Sequence, residues 1–146
     1  MFCFGNSKAR KFKRHLRTFK NKIKIENKCK RVTIITPNNK ARLSLNLNGD
    51  EIYYAIGRTN KNARRRGYGT LLRAIPILAA KNTGYKRIRQ IGSFINNNNR
   101  NGNIPPSTRI VLKLGFVPVS PHPNRYESVL NLSKADYNRI RRLVYR

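Results

Sequence analysis

Between Arg31 and Ile56 the apolar residues fall in short strand-like runs, and after Gly69 they recur at helical intervals. Arg31 to Thr36 carries Val32, Ile34 and Ile35 and stops at Pro37-Asn38-Asn39, a turn signal. From Ala41 to Asn48, Leu43, Leu45 and Leu47 alternate with Arg42, Ser44 and Asn46, the period of a half-buried strand. Asn48-Gly49-Asp50 predicts a hairpin turn of the Asn-Gly type. Glu51 to Ile56, rich in Ile and Tyr, returns as its partner and completes a β-meander.

A loop is expected from Gly57 to Arg66, followed by Gly67-Tyr68-Gly69. Leu71, Leu72, Ile75, Leu78 and Ala79 then predict an amphipathic helix, which Pro76 should kink or start late and Asn82-Thr83-Gly84 should stop. Lys86 to Phe94 reads as a strand, and Asn96 to Asn103 as a polar low-complexity loop. Pro105 and Pro106 suit the start of a short helix over Ser107 to Leu114, ended by Gly115. Phe116 to Val119 and Tyr126 to Leu132 are the last strands. Ser133 with Asp136 resembles a capping box before a basic helix carrying Tyr137, Ile140 and Val144 on one face. The fold class is therefore α/β, built on one mixed sheet. Residues 1–30 are expected to form a basic arm and 31–146 the domain. Within the arm, Phe12, Leu16 and Phe19 lie at helical spacing, but like charges oppose the helix until it orders against the domain or a polyanion.

Charge changes this picture. Lys and Arg number 33 against 5 Asp and Glu, a formal net charge of +28. Such a surface attracts polyanions, nucleic acid among them, over a salt-limited range. The two cysteines, Cys3 and Cys29, cannot build a disulfide framework, and free thiols in a reducing compartment are expected. Neither zinc spacing nor a bilayer-spanning apolar run occurs, so a soluble intracellular protein is expected, without metal or membrane. The acid-free N-terminus also has the composition of an organelle transit peptide, and Lys/Asn/Ile-rich usage suits AT-rich viral, parasite or organellar coding.

Arg64-Arg65-Arg66-Gly67-Tyr68-Gly69 fits R-x-x-G-x-G. Glycines let backbone approach an anion, the helix start offers unpaired N–H groups and a positive dipole end, and arginines add charge-assisted donors. The run follows a strand and opens a helix, and Leu114-Gly115-Phe116 comes later. With these motifs, Glu51 to about Val119 resembles the GNAT superfamily of N-acetyltransferases. The resemblance implies the acyl-CoA N-acyltransferase fold, shortened at its N-terminal helices, and acetyl-CoA as donor. Backbone N–H groups from Arg65 to Thr70, with Arg64 completing the motif, would hold the pyrophosphate. Ile56, Gly57 and Arg58 would bind the pantetheine arm, a backbone N–H near Ile56 or Gly57 would polarise the thioester oxygen, and the flanking strands would splay to admit the donor.

Catalysis is less plainly written. The resemblance places the usual acid tyrosine at Val111 and an asparagine near Ile104, and neither residue supplies that chemistry. Ser107 is as well explained by a helix cap, and Tyr126 is the substitute acid, against a core role. For the base, Asp50 and Glu51 begin the expected strand, only one can face the cleft, and Glu51 is the choice over a charge-balancing role; Glu127 is similarly placed beside Tyr126. The expected function is acetyl transfer to a primary amine in a ternary complex. The alternatives are a weak or inactive scaffold that binds or packages nucleic acid, and a small structural protein.

Overall fold

The computed structural model describes residues 6–60, 67–93, 106–119 and 125–146. Its elements are α1 Ser7–Arg17, β1 Lys24–Lys28, β2 Arg31–Ile35, β3 Ala41–Asn48, β4 Glu51–Thr59, α2 Tyr68–Ala80, β5 Arg87–Ser93, α3 Pro106–Lys113, β6 Val117–Pro118, β7 Arg125–Asn131 and α4 Tyr137–Val144. The strands form one sheet in the order β1-β2-β3-β4-β5-β7-β6. β1 to β4 are an antiparallel meander; α2 then crosses over so that β5 lies parallel to β4, and β7 pairs antiparallel to β5.

Alternation along the strands builds two layers. Val32, Ile34, Leu43, Leu45, Leu47, Ile52, Tyr54 and Ile88 are buried and join the core with the helices. The intervening Thr33, Ser44, Asn46, Glu51, Tyr53, Arg89 and Glu127 are only half-buried. One solvated polar face is normal for a largely antiparallel sheet.

The expected arm is corrected at its inner part. Asn6 caps α1, its side chain accepting from Ala9 N at 2.8 Å, and Phe12 and Leu16 of the helix are 0% exposed. Phe12 meets Tyr85 edge to face, with ring centroids 6.0 Å apart. His15 Nδ1 donates to the Ala79 carbonyl at 2.8 Å, which serves one of the orphan carbonyls in the last turn of α2. β1 then adds an edge strand with the sequence KIENK, too polar for its period to be read. Lys30 is therefore no boundary: apolar burial on α2 outweighs the repulsion among the cations of α1.

Other expectations shift locally. β4 runs on to Thr59, because β3 keeps pairing with it through Ala41↔Thr59, so Gly57 and Arg58 belong to strand rather than loop. The hairpin loop is Gly49-Asp50, with glycine in the left-handed region at φ 57, rather than Asn-Gly. α2 begins at Tyr68 and continues through Pro76, which is buried; packing on both sides holds the turn despite the missing N–H. Asp136, not Ser133, caps α4 by accepting from Arg139 N at 3.1 Å. Cys29 is disulfide-bonded rather than a free thiol.

Candidate functional site

Gly67 and Gly69 of the glycine motif stand at the opening of α2. Gly67 is the N-cap of α2, at φ 80, and being glycine makes no side-chain cap of its own. The first intrahelical bond is Leu71 N to Gly67 O, at 3.0 Å. The N–H groups of Tyr68, Gly69 and Thr70 thus have no intrahelical acceptor and stand at the positive end of the helix dipole, the arrangement that binds an oxyanion. Gly69 has a different role: a Cβ there would sit 2.9 Å from Ile110 Cδ1, so glycine lets the Ile110 side chain of α3 lie close over the start of α2. Tyr68 Oη accepts from Asn38 Nδ2 at 3.0 Å and ties the helix start to the β2–β3 turn. Arg64, Arg65 and Arg66 lie outside the described residues, and of Ile56 and Tyr126 only the backbone is described.

β4 and β5 pair from Glu51↔Arg87 to Tyr54↔Gln90, and there their pairing ends. β4 continues on β3 and β5 on β7, so the two strands part beside the start of α2. A bulge at Ala55 marks the parting, since Leu45 faces Tyr54 and Ser44 faces Ile56. Beyond it, one edge of β4 through Gly57 and Arg58 is without a β5 partner and can pair with an extended ligand.

At the apex of the parting lies Arg73, which the helical pattern did not single out. It is 7% exposed. Its Nε donates to Gln90 Oε1 at 2.8 Å and its Nη1 to Gly69 O at 3.2 Å. A Cβ on Gly57 would lie 2.6 Å from Nη2, so the guanidinium reaches β4 as well. Tyr54 Oη donates to the Arg73 carbonyl at 2.6 Å. The available signal was a cation inside the apolar run Leu71-Leu72-Arg73-Ala74-Ile75, at a spacing that faces the core.

The acids are already engaged. Arg89 donates to Glu51 through Nε at 3.1 Å and Nη2 at 3.0 Å, and Arg87 Nε adds a bond at 2.8 Å. Arg89 also bonds Glu127 through Nη1. The Arg89 hydrogen bonds chiefly, aided by Tyr53 and Arg87 against the cost of burial, hold Glu51 down to about 2. A carboxylate this acidic is a poor acceptor for an ammonium proton, so the geometry argues for the charge-balancing role of Glu51 and against the base. Asp50 pairs with Lys8 at 2.5 Å, and Asp136 caps α4. Val111 is fully buried in the core, as its apolar character required. Among the described residues no group of His, Cys, Asp and Glu could hold a metal, and no helix is long and apolar enough to cross a membrane.

A stability measurement checks this assignment of Glu51. Its folded value lies below the ordinary 4.5, so its contribution is fully present above about 4.5 and is lost as pH falls through about 2. Glu51→Gln should therefore lower unfolding stability at pH 7 and approach the parent near pH 2. Urea unfolding across that range reads the difference, and one independent of pH would refute the ion-pair account.

No family model and no curated protein matches this chain in sequence. Solved structures do. The chain superposes on the GNAT domain of S. lividans PAT with a TM-score of 0.55 and 15% identity over 70% of this chain, and it spans only 61% of that one. It superposes on the ribosomal-protein-S18-alanine N-acetyltransferase from Escherichia coli with a TM-score of 0.54 and 14% identity, covering 84% of this chain and 79% of the other. A GNAT-family acetyltransferase from Bacillus anthracis gives a TM-score of 0.54 at 16% identity, covering 73% and 68%. The chain has the GNAT acetyltransferase fold.

Proposed function

We propose that this chain is an acyl-CoA-dependent N-acyltransferase, with acetyl-CoA as the simplest donor and a primary amine as acceptor. The observation that carries the reading is a conjunction: a left-handed glycine opens α2, whose first N–H groups have no intrahelical acceptor, beside the point where β4 and β5 part. The residues fit a CoA thioester. The N–H groups of Tyr68 to Thr70, with the arginines of the motif, would hold the pyrophosphate. The free edge of β4 at Ile56 to Arg58 would bind the pantetheine arm. When bound, the donor supplies the acyl carbon for attack. Most of the acceleration then comes from holding amine and thioester together at the bulge of β4. With Glu51 engaged by two arginines, the ammonium proton leaves to water over the polar face of the sheet, where half-buried Tyr53 and Glu127 also lie. Fold likeness to N-acetyltransferases supports the reaction class.

Isothermal titration of folded, nucleic-acid-free protein with CoA and acetyl-CoA tests this. One-site binding is expected; absence of binding refutes it.

Binding of nucleic acid is a second reading, favoured by the outward cations of two helices. Arg10, Lys11, Arg14 and Arg17 on α1 and Arg139, Arg141 and Arg142 on α4 are all exposed. Duplex affinity should then fall steeply as salt rises, through counterion release. A response that is flat between low and physiological salt removes this partner.

A further inference from the structure

The apex of the cleft holds a buried cation without a counter-ion. Among the described residues no carboxylate pairs with Arg73: Asp50 is taken by Lys8 and Lys86, and Glu51 and Glu127 by Arg87 and Arg89. Burial lowers the pKa of the guanidinium, the sign of a charge carried at a cost. Its neutral partners, Gln90 Oε1 and Gly69 O, satisfy hydrogen bonds but leave the charge uncompensated. Beside it, among the described residues, Gln90, 4% exposed, has an unpartnered Nε2, and Ser128, opposite Gln90 on β7, has an unpartnered Oγ. These groups are all donors or able to donate. They gather at the last paired position of β4 and β5, and the guanidinium spans from Gln90 to Gly57.

Resting on the reading above, we infer that Arg73, with Gln90, receives a carboxylate at the end of the acyl group, so that the preferred donor is a dicarboxylic acyl-CoA such as succinyl-CoA rather than acetyl-CoA. The pyrophosphate has its own donors in the N–H groups of Tyr68 to Thr70, which face out of the N-terminal end of α2, whereas Arg73 Nη1 is held on the Gly69 carbonyl, which faces the other way along the helix. The end of the donor that travels inward along β4 is the acyl end. A methyl group there would meet a bare guanidinium, whereas a carboxylate makes the paired N–H···O bonds that a guanidinium fork fits. Gln90 Nε2 offers a further donor. In the reaction, the neutral amine nitrogen bonds to the thioester carbon and the carbon–sulfur bond breaks. CoA leaves as the thiol once it takes up the proton that the amine loses, while the distal carboxylate stays ionised on Arg73. The donor named is the only co-reactant.

Titration with CoA, acetyl-CoA and succinyl-CoA, in salt that screens the surface charge, tests the inference. Succinyl-CoA should bind roughly ten- to a hundredfold more tightly than acetyl-CoA, the span of a charge-assisted pair. Arg73→Met should equalise the two, and Arg73→Lys should keep part of the preference; thermal melting of each variant establishes folding. Equal affinities in the parent overturn the inference and leave CoA binding intact. A preference that survives Arg73→Met assigns it to surface charge and overturns it as well. Equal losses for CoA and succinyl-CoA in Arg73→Met transfer Arg73 to the pyrophosphate. Binding of none of the three to folded parent removes the acyltransferase reading itself.

Discussion

Gly67→Asp should abolish one-site CoA binding, with a loss of about a hundredfold or more, while the chain stays folded. The expected loss follows from where Gly67 sits. At φ 80 it turns the chain into α2, and a side chain there strains the backbone by about 1–2 kcal/mol. There is room for a side chain among the described residues, since a Cβ would meet none of them within 4 Å. The damage is therefore electrostatic and directed at the ligand. The carboxylate can cap the N–H groups of α2 in the manner of an N-cap aspartate and repels the pyrophosphate from the same place. Losing two charge-assisted bonds, at about 1.5–3 kcal/mol each, is enough for a hundredfold or more. Gly67→Ala separates the terms: it carries the strain without the charge and should cost at most about tenfold. If Gly67→Asp binds CoA as the parent does, the donor is not held at α2.

Phe12→Ala should destabilise the whole domain by about 3–5 kcal/mol, the cost of emptying a buried aromatic site. Phe12 is fully buried, packs on Tyr85, and belongs to the same core as Ile75, Ile77 and Ile88. If residues 1–30 were a solvated arm, the same change would lie within about 0.5 kcal/mol. Denaturant unfolding followed by circular dichroism distinguishes the two. A shift of the single transition supports integration, and an unchanged midpoint restores the arm.

Much of the meander could be read along the chain. The alternation of Leu43, Leu45 and Leu47 places β3 to the residue, and the Gly49 turn returns the chain as β4. The order of glycine turn, helix, strand and short helix was equally legible, because each is set by local period and by residues that start or stop an element. β1 was not, since one isoleucine among lysines carries no period and the strand exists only by pairing with β2.

Sequence by itself determined where backbone must turn and which side of each element is apolar, because these depend on neighbours a few residues apart. It thereby located the glycine turn that opens α2 at Gly67 and placed an apolar residue at Val111. The tertiary structure decided what depends on distant partners. Whether Phe12 is an arm residue or core, whether Glu51 stands free or is paired with arginines, and whether Arg73 is a surface cation or a buried one all turn on which elements pack together. Charge is read from composition, but its energy depends on burial and on the nearest opposite charge. Both are properties of the packed sheet and helices, in which Arg89 reaches Glu51 and no carboxylate among the described residues reaches Arg73.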